Sequence, residues 1–302
     1  MKILVLGGGD SPEREVSLRS AKSVAEAARQ AGFEVQESDP KDGLTVLNSA
    51  TKDTLVFPIL HGKNGEDGVL QKQLETRHLP FLGSDSSSSE ACFDKWITRQ
   101  KLEKVGLPMP KAALITKENY KNEPLAKTPH VLKINHGGSS IGTLIVRDVP
   151  NLNPAAIEAL FDMENEAVLE QLIEGTEITV PILGSKALPV IEIRPPVNGE
   201  FDYENKYNDQ SAEICPPESV SQDLQNKAQE LAKKVHKVMG CRHLSRVDIM
   251  IDIADNLYVL EINTMPGMTG QSLYPKSVAV AGIDMPSLIK EFATLVERDY
   301  NL

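Results

Sequence analysis

Several classes of protein are excluded by what this sequence lacks. It has three cysteines in 302 residues, Cys92, Cys215 and Cys241. They are odd in number, widely spaced and without a CxxC pair, so neither a disulfide framework nor a zinc site is indicated. Basic residues are in deficit, 32 against 43 acidic ones, for a net charge of −11. That disfavours a broad cationic face for nucleic acid or anionic lipid, while a local cationic pocket for phosphate stays open. No apolar run approaches the roughly 20 residues that span a bilayer. Ile3-Leu4-Val5-Leu6 is too short for the core of a signal peptide and runs straight into glycines, so it reads as a buried first strand. The glycines Gly7-Gly8-Gly9 follow that strand, but the full G-x-G-x-x-G spacing is missing because Pro12 stands at the third glycine's place. A G-K-[ST] sequence opening a helix is missing as well.

What is present is ordinary globular material, 40% hydrophobic and 25% charged, of a length suited to two domains or one large one. Ile3–Leu6, Phe33–Val35 and Thr54–Leu60 read as strands, and Ser17–Ala31 and Gly68–Thr76 carry helical spacing. This β-α-β-α order predicts a parallel sheet in a small α/β domain over residues 1–90. Ser84–Ser89 reads as a loop and Glu90–Lys104 as a helix. Past Pro108 and Pro110 an α+β region begins. Strands are predicted at Val131–Ile134, Thr143–Val146, Ala167–Leu172, Glu177–Leu183, Leu188–Ile193, Ser245–Ile253 and Asn256–Glu261. Helices are predicted at Pro154–Phe161, Val220–Met239, around Val278–Ala281 and at Pro286–Arg298.

Several stretches carry chemistry. Glu13-Arg14-Glu15-Val16-Ser17 places charge at the carboxyl end of a buried strand, where open α/β sheets bind ligands. His61-Gly62-Lys63-Asn64-Gly65-Glu66-Asp67-Gly68 is a glycine-rich loop at another strand end. Glu66 and Asp67 are accounted for by the helix start that follows, whereas His61 is not. Lys133 leads into Asn135-His136-Gly137-Gly138-Ser139-Ser140, a lysine followed by a loop of N–H groups and hydroxyls suited to phosphates. Arg246 and Asp248 alternate along one strand, as do Glu261 and Asn263 on the next, so each pair faces one side. Oxygen donors of this kind suit Mg²⁺, which takes few carboxylates and completes its shell with substrate phosphates. A purely structural reading of the cluster needs Arg246 or Lys206 to neutralise all of it. The loop Pro266-Gly267-Met268-Thr269 then offers backbone N–H groups to a developing oxyanion.

Taken together, EREVSL (13–18), HGKNGEDG (61–68), GSSIG (138–142), Lys206-Tyr207, SRVDIM (245–250) and EINTMPGMTGQSL (261–273) resemble the motifs of D-alanine–D-alanine ligases, members of the ATP-grasp superfamily. The resemblance spans essentially the whole chain in the right order. It implies an N-terminal α/β domain followed by a two-lobed ATP-grasp region at 91–302, with a central lobe at about 91–175 and a C-terminal lobe at about 176–302. The implied reaction joins two D-alanines through an acyl phosphate, for peptidoglycan precursor synthesis. By resemblance, Glu13 holds the ammonium of the first D-alanine in a network with Ser139 and Tyr207, and His61 lies near its carboxylate. Arg246 and the Gly267 N–H face the oxyanion, and Ser272 and Leu273 take the second D-alanine's carboxylate. Lys95, Lys133, Ser140 and Lys206 serve the phosphates, Glu170-Gln171-Leu172-Ile173 meets adenine, and Glu177 meets the ribose. Asp248, Glu261 and Asn263 hold two Mg²⁺, with Mn²⁺ as a substitute and K⁺ as a further family expectation. Residues 201–218 form a closing loop.

Some positions depart from the family pattern. Ile134 stands where proline commonly follows the strand lysine, and His136-Gly137 replace a more polar pair. On the exposed helix suggested by Asp94-Lys95-Trp96, Lys95 is also compatible with a solvated lysine. By the same resemblance, Tyr207 favours a D-amino acid over a D-hydroxy acid as second substrate, because related depsipeptide-forming ligases depart from the Lys-Tyr pattern. The alternatives are a ligase with D-serine or D-lactate as acceptor and a non-catalytic ATP-binding regulator. An NAD-dependent oxidoreductase leaves the carboxylate pairs without explanation. The expectation is a cytoplasmic homodimer acting on small molecules, with no nucleic acid and no membrane partner.

Overall fold

The computed structural model describes residues 2–138, 141–194 and 212–302. The first layer is built from β1 (Lys2–Leu6), α1 (Arg14–Gln30), β2 (Glu34–Ser38) and β3 (Thr54–Pro58). The strands pair in parallel in the order β2-β1-β3. β3 is buried throughout and β1 nearly so, as their unbroken apolar runs require, while the edge strand β2 is partly exposed. Parallel pairing brings the loops after β1 and β3 to one edge. The opening glycines form a tight turn whose donors are already taken. Gly8 N–H donates to Ser17 Oγ and Gly9 N–H to Asp39 Oδ1, and a Cβ at Gly7 would lie 2.2 Å from that of Ala21 on α1.

The connection to the next layer runs through α2 (Val69–Thr76), α3 (Ser86–Phe93) and α4 (Lys95–Lys104). The serine run expected as a loop is largely helical instead. Asp85 accepts the Ser88 N–H as an N-cap, and the hydroxyls of Ser88 and Ser89 are occupied by the carbonyls of Gly240 and Ser84. A side chain that usually competes with helix formation is compatible with it when tertiary partners satisfy the hydroxyl. The single helix expected over Glu90–Lys104 is broken at Asp94, whose extended backbone (φ −89°, ψ 108°) ends α3 and whose carboxylate caps α4. Cys92 and Cys241, 149 positions apart in sequence, are free thiols with sulfurs 3.7 Å apart.

β4 (Ala112–Thr116), β5 (His130–Ile134), β6 (Thr143–Val146) and β7 (Glu166–Gln171) make an antiparallel sheet in the order β4-β7-β5-β6, and α5 (Pro154–Met163) packs on β5 and β6. A third sheet contains β8 (Gly175–Leu183), β9 (Lys186–Ala187), β10 (Ile191–Arg194), β11 (Ala212–Ile214), β12 (Leu244–Asp252) and β13 (Leu257–Asn263). Its order is β11-β10-β8-β12-β13, with β9 paired to β8. The strands β4, β9 and β11 are absent from the sequence expectation. α6 (Gln222–Val238) covers the back of this sheet, burying Leu224, Ala228, Leu231 and Val235 against Val247, Ile249 and Val259. The last helices, α7 (Leu273–Val280) and α8 (Met285–Tyr300), share a core with the first sheet. Phe57 there meets Phe292 edge-on at 6.4 Å.

One irregularity matters for the site. Along β12, Val247, Ile249 and Ile251 face the α6 core, so Arg246, Asp248 and Met250 face the other way. Ile249 pairs with Val259 but Asp248 pairs with Glu261, leaving Leu260 as an extra residue on β13. Strict alternation from Val259 would send Glu261 and Asn263 into the core. The bulge turns them out and places Ile262 inside.

Candidate active site

Two clefts meet in the interior of the molecule. One, of about 550 Å³, lies between the loop edge of the first sheet, the third sheet and the start of α7. The other, of about 380 Å³, lies between the two antiparallel sheets. Lys95, Gly138, Ile193, Asp248 and Glu261 line both. A long ligand with a reactive end in the second cleft therefore presents that end to a small ligand in the first.

The inner wall of the second cleft is an ion cluster. Lys133 on β5 donates to Glu170 Oε2 at 2.8 Å. Arg99, only 1% exposed, donates to the other oxygen of Glu170 at 3.1 Å and to the carbonyl of Pro110 at 2.6 Å. Burial opposes charge on Glu170, but Lys133 and Arg99 outweigh it and hold the carboxyl below its usual range. Burial likewise opposes the Lys133 ammonium, and the carboxylates of Glu170 and Glu261 outweigh it in the other direction. Lys95 is not a solvated lysine, because the Asp94 break turns it inward to donate to the carbonyl of Gly137 at 2.6 Å. Burial pulls its ammonium below the usual range, against the opposing effect of Glu261. Leu172, Ile173 and Glu177 line the same cleft. Arg99 is missing from the sequence reading because a helical arginine gives no sign that it is buried.

Among the described residues no group of three or more His, Cys, Asp or Glu side chains is arranged to hold a metal. What the junction of the clefts offers is two carboxylates and an amide. Asp248 is directly opposite Glu261, and Asn263 directly opposite Arg246. Arg246 grips Asp248 with two hydrogen bonds, 2.9 Å from Nε to Oδ1 and 2.8 Å from Nη2 to Oδ2, and Thr179 on β8 donates to the same carboxylate. Asn263 Oδ1 accepts the Met265 N–H at 3.0 Å. Asp248 Oδ1 thus accepts two bonds already, while Asn263 Oδ1 accepts one and keeps a second lone pair. An oxygen-only set with few carboxylates fits Mg²⁺ completed by phosphate oxygens.

In the first cleft, Glu13 stands at the N-cap of α1 and is 8% exposed. Gly62, whose φ of 71° favours glycine, lets the loop lie against Glu13, and a Cβ there would come within 2.8 Å of its Oε2. His61 is buried, and its Nδ1 lies 3.0 Å from the carbonyl of Met265. A carbonyl only accepts, so Nδ1 carries the proton. Burial pulls the His61 pKa down against the pull of Glu13, which keeps the ring neutral. Glu66, treated in sequence as a helix-start residue, is instead buried and accepts the Gly62 N–H at 2.7 Å. Burial, aided by the Glu13 charge, pushes its carboxyl up to about 8 despite the backbone donors.

The loop after β13 brings Gly267 against Ser272, whose oxygen would lie 2.8 Å from a Cβ at that glycine. Ser272 is the N-cap of α7 but bonds Thr269 rather than the helix, at 2.8 Å between hydroxyls. The first turn of α7 is thus left open to the cleft beside Leu273 and Lys276, a place suited to a carboxylate.

Ser139, Ser140, Lys206 and Tyr207 lie outside the described residues. The other residues to which the family resemblance gives a role line one cleft or both. At the departures from the family pattern, Ile134 packs under the glycine loop, 2.8 Å from a Cβ at Gly142. His136 is tied to Asp94 at 3.2 Å and to Glu164 at 2.5 Å.

Comparison with known proteins agrees along the chain. Residues 36–84 match the family described as D-ala D-ala ligase N-terminus, and residues 102–294 match D-ala D-ala ligase C-terminus. The D-alanine–D-alanine ligase of Actinobacillus succinogenes is 36% identical over 302 residues, covering 97% of each chain. That of Desulforamulus reducens is 38% identical over 303 residues, covering 95% of this chain and 96% of the relative. The crystal structure of the Bacillus anthracis D-alanine–D-alanine ligase superposes with a TM-score of 0.87 at 33% identity, covering 100% of this chain and 99% of that one. The same enzyme complexed with ATP gives 0.85 at 31% identity, with the same coverage.

Proposed function

The chain belongs to the D-alanine–D-alanine ligase family, and from that premise we propose that it joins two D-alanines into D-alanyl-D-alanine with ATP, for peptidoglycan precursors. The observation that carries the reading is the junction of the two clefts at Lys95, Asp248 and Glu261. It suits a reaction in which a phosphoryl group crosses from a nucleotide to a small carboxylate.

The first D-alanine's carboxylate attacks the γ-phosphorus of ATP, ADP leaves, and an acyl phosphate forms. The amine of the second D-alanine then attacks the carbonyl, and phosphate departs from the tetrahedral intermediate. In the first cleft Glu13 takes the ammonium of the first substrate, and His61 lies on its carboxylate side. Lys133 and Lys95 hold phosphate oxygens from the wall of the second cleft, where Glu170 keeps the Lys133 ammonium aimed and charged. Leu172 and Glu177 hold the nucleoside. Asp248, Glu261 and Asn263 would hold Mg²⁺, two ions in this reading, whose charge would offset that gathering on the transferring phosphoryl group. Arg246 and the Gly267 N–H face the oxygen that becomes negative when the tetrahedral intermediate forms. Ser272 and Leu273, at the open turn of α7, take the carboxylate of the second substrate. Ser139, Ser140, Lys206 and Tyr207 complete the set. We place the enzyme in the cytoplasm, where its substrates are, and take it as a homodimer. Among the described residues no helix is long and apolar enough to cross a membrane.

The test is phosphate release from ATP and Mg²⁺ with D-alanine against L-alanine, with products identified by mass. Release with D-alanine alone and a D-alanyl-D-alanine product supports the reading. A mixed product in the presence of D-serine or D-lactate reassigns the acceptor. Folded protein that binds nucleotide but releases no phosphate overturns the catalytic reading.

A further inference from the structure

Residues 264–272, which carry Gly267, join β13 to α7 outside helix and strand. An N–H that acts on an oxyanion must be in place before the charge develops, so something has to fix this loop. Two side chains from the first layer do so. His61 Nδ1–H donates to the carbonyl of Met265 at 3.0 Å, across 204 residues of sequence. Ser20, on the inner face of α1, accepts the Met268 N–H on its hydroxyl at 3.1 Å, across 248 residues. Gly267 lies between these two anchors.

The anchors also face each other. With the proton on Nδ1, the neutral His61 ring has Nε2 as an acceptor, and Ser20 Oγ lies 3.5 Å from it. The Ser20 hydroxyl thus accepts the Met268 N–H on a lone pair and has Nε2 within reach of its own proton. Ser20 is fully buried and His61 is 5% exposed, so little water competes for these groups.

We propose that Ser20 is a positioning residue for the reaction, acting with His61 as a clamp that holds the Met265–Met268 backbone so that the Gly267 N–H meets the tetrahedral intermediate. This rests on the ligase reading above and adds to it a residue outside the assigned motif roles. The clamp sets the rate of the step in which the oxyanion forms and leaves ground-state binding of ATP and the first D-alanine almost untouched. It also gives His61 a task separate from contact with the substrate carboxylate.

The test compares wild type with Ser20→Ala. A lost positioning contact at a reacting centre costs up to about 10²-fold in rate. The expected result is a fall of that order in kcat, with the KM for ATP and for the first D-alanine each changing less than about twofold, since only transition-state contacts are lost. A phosphinate analogue of the dipeptide, tetrahedral at the reacting centre, should bind more weakly by a similar factor. His61→Gln combined with Ser20→Ala should cost little more than the worse single change, because both act through one loop. Unchanged kcat, or equal losses in all parameters, overturns the proposal. Amide exchange at Gly267 and Met268 needs no substrate and separates this outcome from failure of the ligase reading. Exchange there should quicken about fivefold in Ser20→Ala, as for loss of one hydrogen bond, and unchanged protection removes the clamp whatever the wild-type activity.

Discussion

Asp248 and Glu261 face each other across β12 and β13 because Leu260, immediately before Glu261, is left out of register. The bulge keeps Val259 and Ile262 in the core while both carboxylates point into the junction of the clefts. Arg246 and Thr179 hold the Asp248 carboxylate, which fixes one of the two acids on a rigid element.

Asp248→Asn and Glu261→Gln should each lower turnover by about 10² or more, as expected where charge on a transferring phosphoryl group loses its compensation. The fold should persist, since the strand ladder does not depend on these charges. Calorimetric titration of Mg²⁺ in the presence of ADP provides the check. Metal affinity like that of the wild type in both variants would contradict the assignment.

Arg99→Met should destabilise the protein by about 2–3 kcal/mol, below the usual cost of breaking a buried pair because Lys133 stays on Glu170. Freed from one side, Glu170 aims Lys133 less firmly, so the KM for ATP should rise about tenfold, as for the loss of one well-made polar contact, with little change for D-alanine. Thermal melting and steady-state kinetics read both effects.

For Glu66 the pH dependence has a definite sign. Burial, then the Glu13 charge, raises its pKa in the fold to about 8 from the usual 4.5. Between those values the folded protein binds the proton and the unfolded chain does not. The contribution to stability is complete below about 4.5 and is lost as pH rises through about 8. Glu66→Gln keeps an oxygen for the Gly62 N–H and removes the titration. It should melt a few degrees above wild type at pH 8, corresponding to about 1 kcal/mol or more, and the gap should shrink towards pH 5. A constant difference across that range would show that Glu66 does not titrate there.

Ser272→Ala should raise the KM for the second D-alanine about tenfold and leave the KM for the first within about twofold, because the α7 turn faces only one of the two substrates in this reading. Initial rates over the two saturation phases of D-alanine separate these constants. A larger effect on the first phase would exchange the two subsites.

Much of the fold was legible because its signals are local. The apolar runs Ile3–Leu6 and Thr54–Leu60, the spacing of α1 and the amphipathic stretch of α6 each follow from neighbours within a few residues. The errors have equally physical causes. Serine is a poor helix former in isolation, and the helix at Ser86–Phe93 forms with Asp85 at its start and carbonyls at Ser84 and Gly240 to absorb hydroxyls. The break at Asp94 is a cap shared by two helices, which spacing alone does not separate from one continuous helix.

The candidate site divides in the same way. The sequence by itself determined which residue types stand in which motifs, the alternation that puts Arg246 with Asp248, and the family to which those motifs point. These depend on neighbours in the chain, and a linear pattern records them. Only the tertiary structure decided that Glu170 is shared by Lys133 and Arg99, that Glu66 is buried beside Glu13, and that Ser20 and His61 hold the loop around Gly267. Each of these joins groups far apart in the chain through burial and a hydrogen bond or charge. Such contacts have no period in the sequence and exist only once the separate layers have packed.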